Sequence, residues 1–162
     1  MSYSVTTIGQ DSHRFNEGVN EDGFIMLGGI KVPHDRSFSA NSDGDVLLHA
    51  LTNAVSGYTG INVLGGAADK ICLEQGIKDS TVYLAEALKS VVGAKIVHVS
   101  CTIECLRPKL MPVIPAMKER VAELLGITAS AVGITATTGE GLTEFGRGEG
   151  VQVFVVVSWV VE

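Results

Sequence analysis

Cations are in short supply in this chain of 162 residues. Its 12 lysines and arginines stand against 18 aspartates and glutamates, a net charge of −6 at pH 7. With no basic patch to release counterions, a nucleic-acid binder is excluded. Any phosphate-bearing ligand must be handled locally, by metal ions, backbone amides and a few cations. Cysteine is sparse too. Cys72, Cys101 and Cys105 cannot all pair internally, which fits a reducing, cytoplasmic setting. Cys101 and Cys105 share one face of an expected strand, where packing explains them better than a metal does. No apolar run reaches the about 20 residues that a membrane span needs, not even the valine-rich tail. No charged stretch followed by an apolar core marks a signal peptide. Internal repeats, low-complexity linkers and a second domain are also missing.

What is present describes one packed domain over residues 1–162, with 46% hydrophobic residues and enough length to bury roughly 70% of its unfolded surface. A strand is expected from Tyr3 to Gly9, ending in the polar run from Gln10 to Arg14. A hairpin follows from Phe24 to Val32, with Gly28-Gly29 at its bend. The helix that organises the chain starts near Ser42, read as its N-cap, with Asp45 three residues on. Apolar residues at 46, 47, 50, 51 and 54 follow at helical spacing, and the helix reaches about Gly57. His49 lies at the edge of that stripe, four residues past Asp45, so the two can stack on one side. Residues 58–78 carry a weak pattern that allows loop or short helix. Beyond them the sequence reads as a helix from Thr81 to Val92 capped by Asp79 or Ser80, a strand from Lys95 to Cys105, a helix from Pro112 to Leu125, and strands from Val132 to Thr138 and Val151 to Val161. The last is an unbroken apolar run, which suggests burial on both faces, one under the helices and one against a neighbouring subunit.

Three stretches carry chemistry. Asp11-Ser12-His13 places a carboxylate and an imidazole on one side of an extended backbone, their Cα atoms about 6–7 Å apart. With His49 they form a two-histidine, one-carboxylate set that suits zinc and leaves a position for substrate or water. Such a set also accepts manganese, cobalt or iron. The threonine- and glycine-rich segment from Thr135 to Leu142 offers hydroxyls and amides to phosphate oxygens, and Glu140 can hold a magnesium ion against a diphosphate. A hairpin loop with solvated charges is the bland alternative. Arg107-Pro108-Lys109-Leu110-Met111-Pro112 is a rigid bend with two cations that either closes over an anion or merely leads into the next helix. His34 and His98 lack such company and read as a loop and a strand residue.

Together these pieces resemble the 2-C-methyl-D-erythritol 2,4-cyclodiphosphate synthase family. The resemblance rests on G-x-D-x-H at Gly9 to His13, L-G-G-x-x-x-P at Leu27 to Pro33, S-D-G-D-x-x-x-H-A-L at Ser42 to Leu51, R-P-K at 107–109, and A-T-T-x-E-x-L then G-R-G-E-G between 136 and 150. It implies an α+β, ferredoxin-like sandwich with a mostly antiparallel four-stranded sheet, helices on one face, and three sheets packed around a trimer axis with active sites between neighbours. It implies zinc on Asp11, His13 and His49, and a second divalent ion, magnesium or manganese, on Glu140. Thr137 and Thr138 would sit beside the diphosphate, with Thr138 and Glu140 the catalytic pair. Asn41, Ser42, Asp43 and Arg147 would contact the substrate. Cys105, Pro108, Lys109, Leu110 and Met111 would line the cytidine pocket of the adjacent subunit. The implied reaction is cyclisation of 4-diphosphocytidyl-2-C-methyl-D-erythritol 2-phosphate with release of CMP, a step of non-mevalonate isoprenoid synthesis.

Some positions depart from the family pattern. Asn41 stands where the family has histidine, Val63-Leu64-Gly65 where it has D-I-G, and Ala68-Asp69-Lys70 where it has F-P-D; Gln10 and Leu106 differ as well. These leave two further readings: a paralogue that keeps metal and cytidine nucleotide but takes another phosphorylated ligand, and a non-catalytic trimer that binds a ligand along its axis, with Arg147 and Glu149 facing inward.

Overall fold

A computed structural model describes all 162 residues. Its main sheet has the order β1-β6-β4-β5, formed by β1 (Tyr3–Arg14), β4 (Ala94–Glu104), β5 (Val132–Thr137) and β6 (Gly150–Val161). The β1–β6 and β6–β4 pairs are antiparallel and β4–β5 is parallel, so the sheet is mixed. A separate hairpin joins β2 (Phe24–Leu27) to β3 (Ile30–Pro33) and bends at Gly28-Gly29, as the sequence suggests. Four helices complete an α+β architecture: α1 (Val46–Thr59), α2 (Ala68–Gln75), α3 (Ser80–Leu88) and α4 (Ile114–Leu125). Of these, α2 occupies part of the stretch whose pattern is weak. No helix is long and apolar enough to cross a membrane.

Strand β6 shows why the core sits where it does. Val151, Val153, Val155, Val157 and Trp159 alternate onto the helix side and are at most 1% exposed. Gln152, Phe154, Val156, Ser158 and Val160 point the other way and are only half buried. The face expected under the helices is buried within the chain, and the other face is left half buried. The outer face pairs Phe154 with Gln10, and Val156 with Ile8, which is 64% exposed.

Helix α1 lies against β1 and β6 at unusually close range, because Gly9 has no side chain. A Cβ there would sit 1.9 Å from the Ala50 carbonyl oxygen and 2.5 Å from the Ala54 nitrogen. The same contact is tied by polar groups: Trp159 Nε1 donates to Thr7 Oγ1 (2.9 Å), which donates to the Ala54 carbonyl (2.8 Å). Buried bonds of this kind contribute about 1 kcal/mol each.

The N-cap of α1 is Asp45, three residues later than the expected Ser42. The reason is tertiary. The fully buried Asp45 carboxylate accepts from Leu48 N (3.0 Å) and also from Gly28 N (2.9 Å) and Gly29 N (2.7 Å), so one side chain caps the helix and pins the hairpin bend. That commitment also removes the expected stacking of Asp45 on His49, whose only bond to Asp45 is through the backbone (2.9 Å).

Candidate metal centre

Asp11 and His13 occupy alternate positions of β1, so both side chains leave the sheet on its helix-covered face. The expected strand stops at Gly9; the observed one runs on to Arg14, because β6 pairs with it residue for residue from Tyr3↔Val161 to Arg14↔Gly150. The two ligand candidates therefore sit on a rigid strand rather than beyond its end. His49, one turn into α1 and 6% exposed, is brought over them by the close approach at Gly9.

The three side chains converge. Asp11 Oδ2 lies 3.0 Å from His49 Nδ1 and 3.6 Å from His13 Nε2, and the two imidazole nitrogens are 3.2 Å apart. A tetrahedral ion bonded at about 2.0–2.1 Å to each donor requires donors about 3.3 Å apart, so the set fits a zinc-like ion. Among His, Cys, Asp and Glu side chains it is the one group of three close enough to hold a metal. Its electrostatics suit the task. Burial works to raise the Asp11 carboxyl, but the His49 hydrogen bond, the His13 charge and the Ser12 amide outweigh it and hold the group below its ordinary range. Burial lowers His13 against the pull of Asp11, which favours the neutral ring that can donate a lone pair.

A cavity of about 400 Å³ opens from this centre. Asn41 and Ser42 line it. Asp43 does not: its carboxylate accepts from the backbone of Asp45 (3.0 Å) and Ser80 (3.1 Å) and from the Ser80 hydroxyl. The far wall comes from Leu64, Gly65, Ala68, Asp69, Cys72 and Tyr83. Several of these fall in the stretch with a weak pattern, and nothing in their spacing points to a ligand.

A second cavity, of about 350 Å³, gathers the other two stretches. Cys105, Pro108, Lys109, Leu110 and Met111 line it together with Thr137 and Thr138. Of the remaining candidates, Glu140 is exposed at φ 52° in the turn Gly139–Gly141 and lines neither cavity. Arg147 is held inside its own loop, by the Glu144 carboxylate and the Gly141 carbonyl (3.0 Å). Glu149 faces Arg14 and Arg36 at 3.8 Å each. Two residues that sequence reasoning overlooks hold these parts in place. Glu104, at the end of β4, lies beneath the Gly139 turn and accepts from the Thr143 hydroxyl. Ser80, fully buried, accepts or donates at 2.8 Å to the outer nitrogen of His49; its 31-residue separation from that histidine leaves no local signal.

Comparison with known proteins places the chain in a family. A family model, described as the YgbB family, matches residues 5–160. The chain belongs to the YgbB family. It is 51% identical over 152 residues to the 2-C-methyl-D-erythritol 2,4-cyclodiphosphate synthase of Chlamydia muridarum, covering 93% of this chain and 85% of that protein. Among solved structures, a CDP-bound 2C-methyl-D-erythritol-2,4-cyclodiphosphate synthase superposes with a TM-score of 0.82 at 32% identity, over 94% of this chain and 98% of that one. The bifunctional IspDF from Campylobacter jejuni gives a TM-score of 0.87 at 27% identity, and this YgbB-family chain spans 43% of it.

Proposed function

We propose that this protein cyclises 4-diphosphocytidyl-2-C-methyl-D-erythritol 2-phosphate to 2-C-methyl-D-erythritol 2,4-cyclodiphosphate and releases CMP, as a phosphorus–oxygen lyase of the non-mevalonate isoprenoid pathway. The observation that carries this reading is the convergence of Asp11, His13 and His49 within a family whose relatives bear that activity in name. Zinc on those three side chains, and magnesium or manganese on Glu140, would draw charge from the phosphoryl oxygens.

The chain's own contribution is positioning. An oxygen of the substrate's 2-phosphate attacks the β-phosphorus, the bond from that phosphorus to the bridging oxygen breaks, and CMP leaves with the bond's electrons. No water enters and no proton need be moved, so the reaction asks for alignment and charge neutralisation rather than an acid–base pair. Thr137 and Thr138 present hydroxyls to the diphosphate. Lys109 adds a cation beside it, and the bend from Cys105 to Met111 takes the cytidine. Asn41 and Ser42 face the methylerythritol end, while Arg147 steadies the loop that follows Glu140; Asp43, expected at the substrate, acts from behind His49 instead.

The metal cavity and the cytidine cavity are distinct in one chain, and this supports a homotrimer in which one subunit's metal centre meets the next subunit's Cys105–Met111 segment. The half-buried outer face of β6, with Phe154, Val156 and Ile8, is the surface offered for that packing. Three unpaired thiols accord with a cytoplasmic location. Incubation with the cytidyl substrate, zinc and magnesium, followed by ³¹P NMR, is expected to show CMP and a cyclic diphosphate in equal amounts. The departures at Asn41, Leu64, Ala68 and Asp69 lie on the cavity wall, so a paralogue with another phosphorylated ligand is the second reading. CMP binding without CMP release would favour it over the synthase, and failure to bind CMP would favour a non-catalytic trimer.

A further inference from the structure

His49 can offer a metal its Nδ1 lone pair only if its proton sits on Nε2, and neither nitrogen chooses by itself. The groups behind the ring decide. Nε2 lies 2.8 Å from Ser80 Oγ, with Ser42 Oγ more distant at 3.4 Å. Ser80 is fully buried, so no solvent replaces its partners. Its hydroxyl also touches Oδ1 of Asp43, and its backbone N–H donates to Oδ2 of the same carboxylate (3.1 Å). Asp45 N adds a third bond, to Oδ1 (3.0 Å), so Asp43 is anchored from two elements.

On the Ser80 side of the ring the hydrogen count fixes the directions. A carboxylate only accepts, so the single hydrogen of the Ser80 hydroxyl goes to Asp43. Ser80 Oγ is left as an acceptor toward His49, and His49 Nε2 must carry the proton. The opposite tautomer would leave one hydroxyl hydrogen for two acceptors in a buried site, at the cost of an unmade bond. On the other side the Nδ1 lone pair then faces Asp11 Oδ2 at 3.0 Å, two acceptors that a cation between them satisfies.

We propose that Asp43 and Ser80 form a positioning relay that sets the tautomer and ring orientation of His49, so that Nδ1 faces Asp11 and His13 as a ready metal donor. The relay rests on the metal centre proposed above and adds two residues to it that never touch ion or substrate. It also accounts for the place of Asp43 in the S-D-G-D stretch: the aspartate faces away from the ligand cavity and acts through Ser80.

Two measurements test it. In ¹⁵N-labelled, zinc-loaded protein, long-range ¹H–¹⁵N correlation is expected to show His49 bound through Nδ1 with a slowly exchanging hydrogen on Nε2, which exchanges fast in Ser80→Ala. Zinc titration against a competing chelator is expected to show affinity about 10–100-fold weaker in Ser80→Ala, the range for loss of a group that orients a metal ligand. Asp43→Asn should weaken it in the same direction, and the double variant should be no weaker than Ser80→Ala, because both act along one chain of bonds. Thermal melting of the metal-free variants separates this from a general loss of fold. Zinc affinity of a folded Ser80→Ala within roughly threefold of wild type, well short of that range, overturns the relay while leaving the metal centre standing. Zinc held by His49 through Nε2 also overturns it. A wild type that takes up no zinc overturns both.

Discussion

Replacing Gly9 with alanine probes the contact that assembles the centre. The added Cβ would lie 1.9 Å from the Ala50 carbonyl oxygen, where real Cβ contacts stay above 3.0 Å. Both obstructing atoms belong to the backbone of α1, so no rotamer relieves the clash, and the helix must retreat by about 1 Å. His49 rides on that helix. A shift of this size stretches its 3.0 Å and 3.2 Å distances to Asp11 and His13 toward 4 Å, whereas donors around a tetrahedral ion sit about 3.3 Å apart. The stability cost should be about 1–3 kcal/mol, a melting temperature lower by roughly 3–10 °C in a domain of this size. Zinc affinity should fall by more than the roughly 100-fold that loss of a supporting hydrogen bond costs. Gly57→Ala is the control. A Cβ at that position of α1 sits an ordinary 3.5 Å from Thr7 Cβ, so the variant should gain about 0.5–1 kcal/mol and bind zinc normally. Wild-type zinc affinity in Gly9→Ala would refute the reasoning.

Three other outcomes are expected. His49→Ala should carry no stoichiometric zinc by elemental analysis, and unchanged zinc content would remove His49 from the centre. Burial pushes the Asp45 carboxyl up to about 6 from 3.8, against the pull of the Leu48, Gly29 and Gly28 amides, so between these values the folded chain keeps a proton that the unfolded chain has released. The stability this confers is present at low pH and lost as pH rises through about 6; the stability difference between wild type and Asp45→Asn in urea should therefore shrink by about 2–3 kcal/mol from pH 4 to pH 7, and a flat difference would count against it. Burial likewise pushes Cys101 and Cys105 up to about 12, so a thiol reagent at neutral pH should modify Cys72 alone until the protein is unfolded, with three fast-reacting thiols in the native protein as the contrary result.

The parts of the molecule legible in the sequence are those fixed by local pattern. The existence of β6, the helical stripe from Val46 to Ala54, the Gly28-Gly29 bend and the helix from Ile114 to Leu125 all follow from composition, periodicity and turn chemistry, whereas the alternating burial along β6 is hidden in its unbroken apolar run. The grouping of Asp11, His13 and His49 is legible for a different reason: the first two lie two apart on an extended backbone, and His49 is flanked by a recognisable stretch. What escaped was set by partners distant in sequence. Asp45 displaces Ser42 as the cap because two hairpin amides also need its carboxylate. Strand β1 outruns its β-branched residues because β6 supplies a full-length partner. Ser80 reads as a cap candidate, and only the folded chain sets its hydroxyl between Asp43 and His49. The wall formed by Leu64, Ala68, Asp69 and Cys72 lies in a glycine-rich stretch without periodicity, so spacing says nothing of it, and only the match to the family's D-I-G and F-P-D positions points Leu64, Ala68 and Asp69 toward a ligand.

The decisive measurement is an anomalous difference map, collected at the zinc edge from crystals grown with zinc. The account predicts a single strong peak within bonding distance of Asp11 Oδ2, His13 Nε2 and His49 Nδ1, with Ser80 still hydrogen-bonded to His49 Nε2. A peak elsewhere, or an ion held by His49 through Nε2, would contradict it.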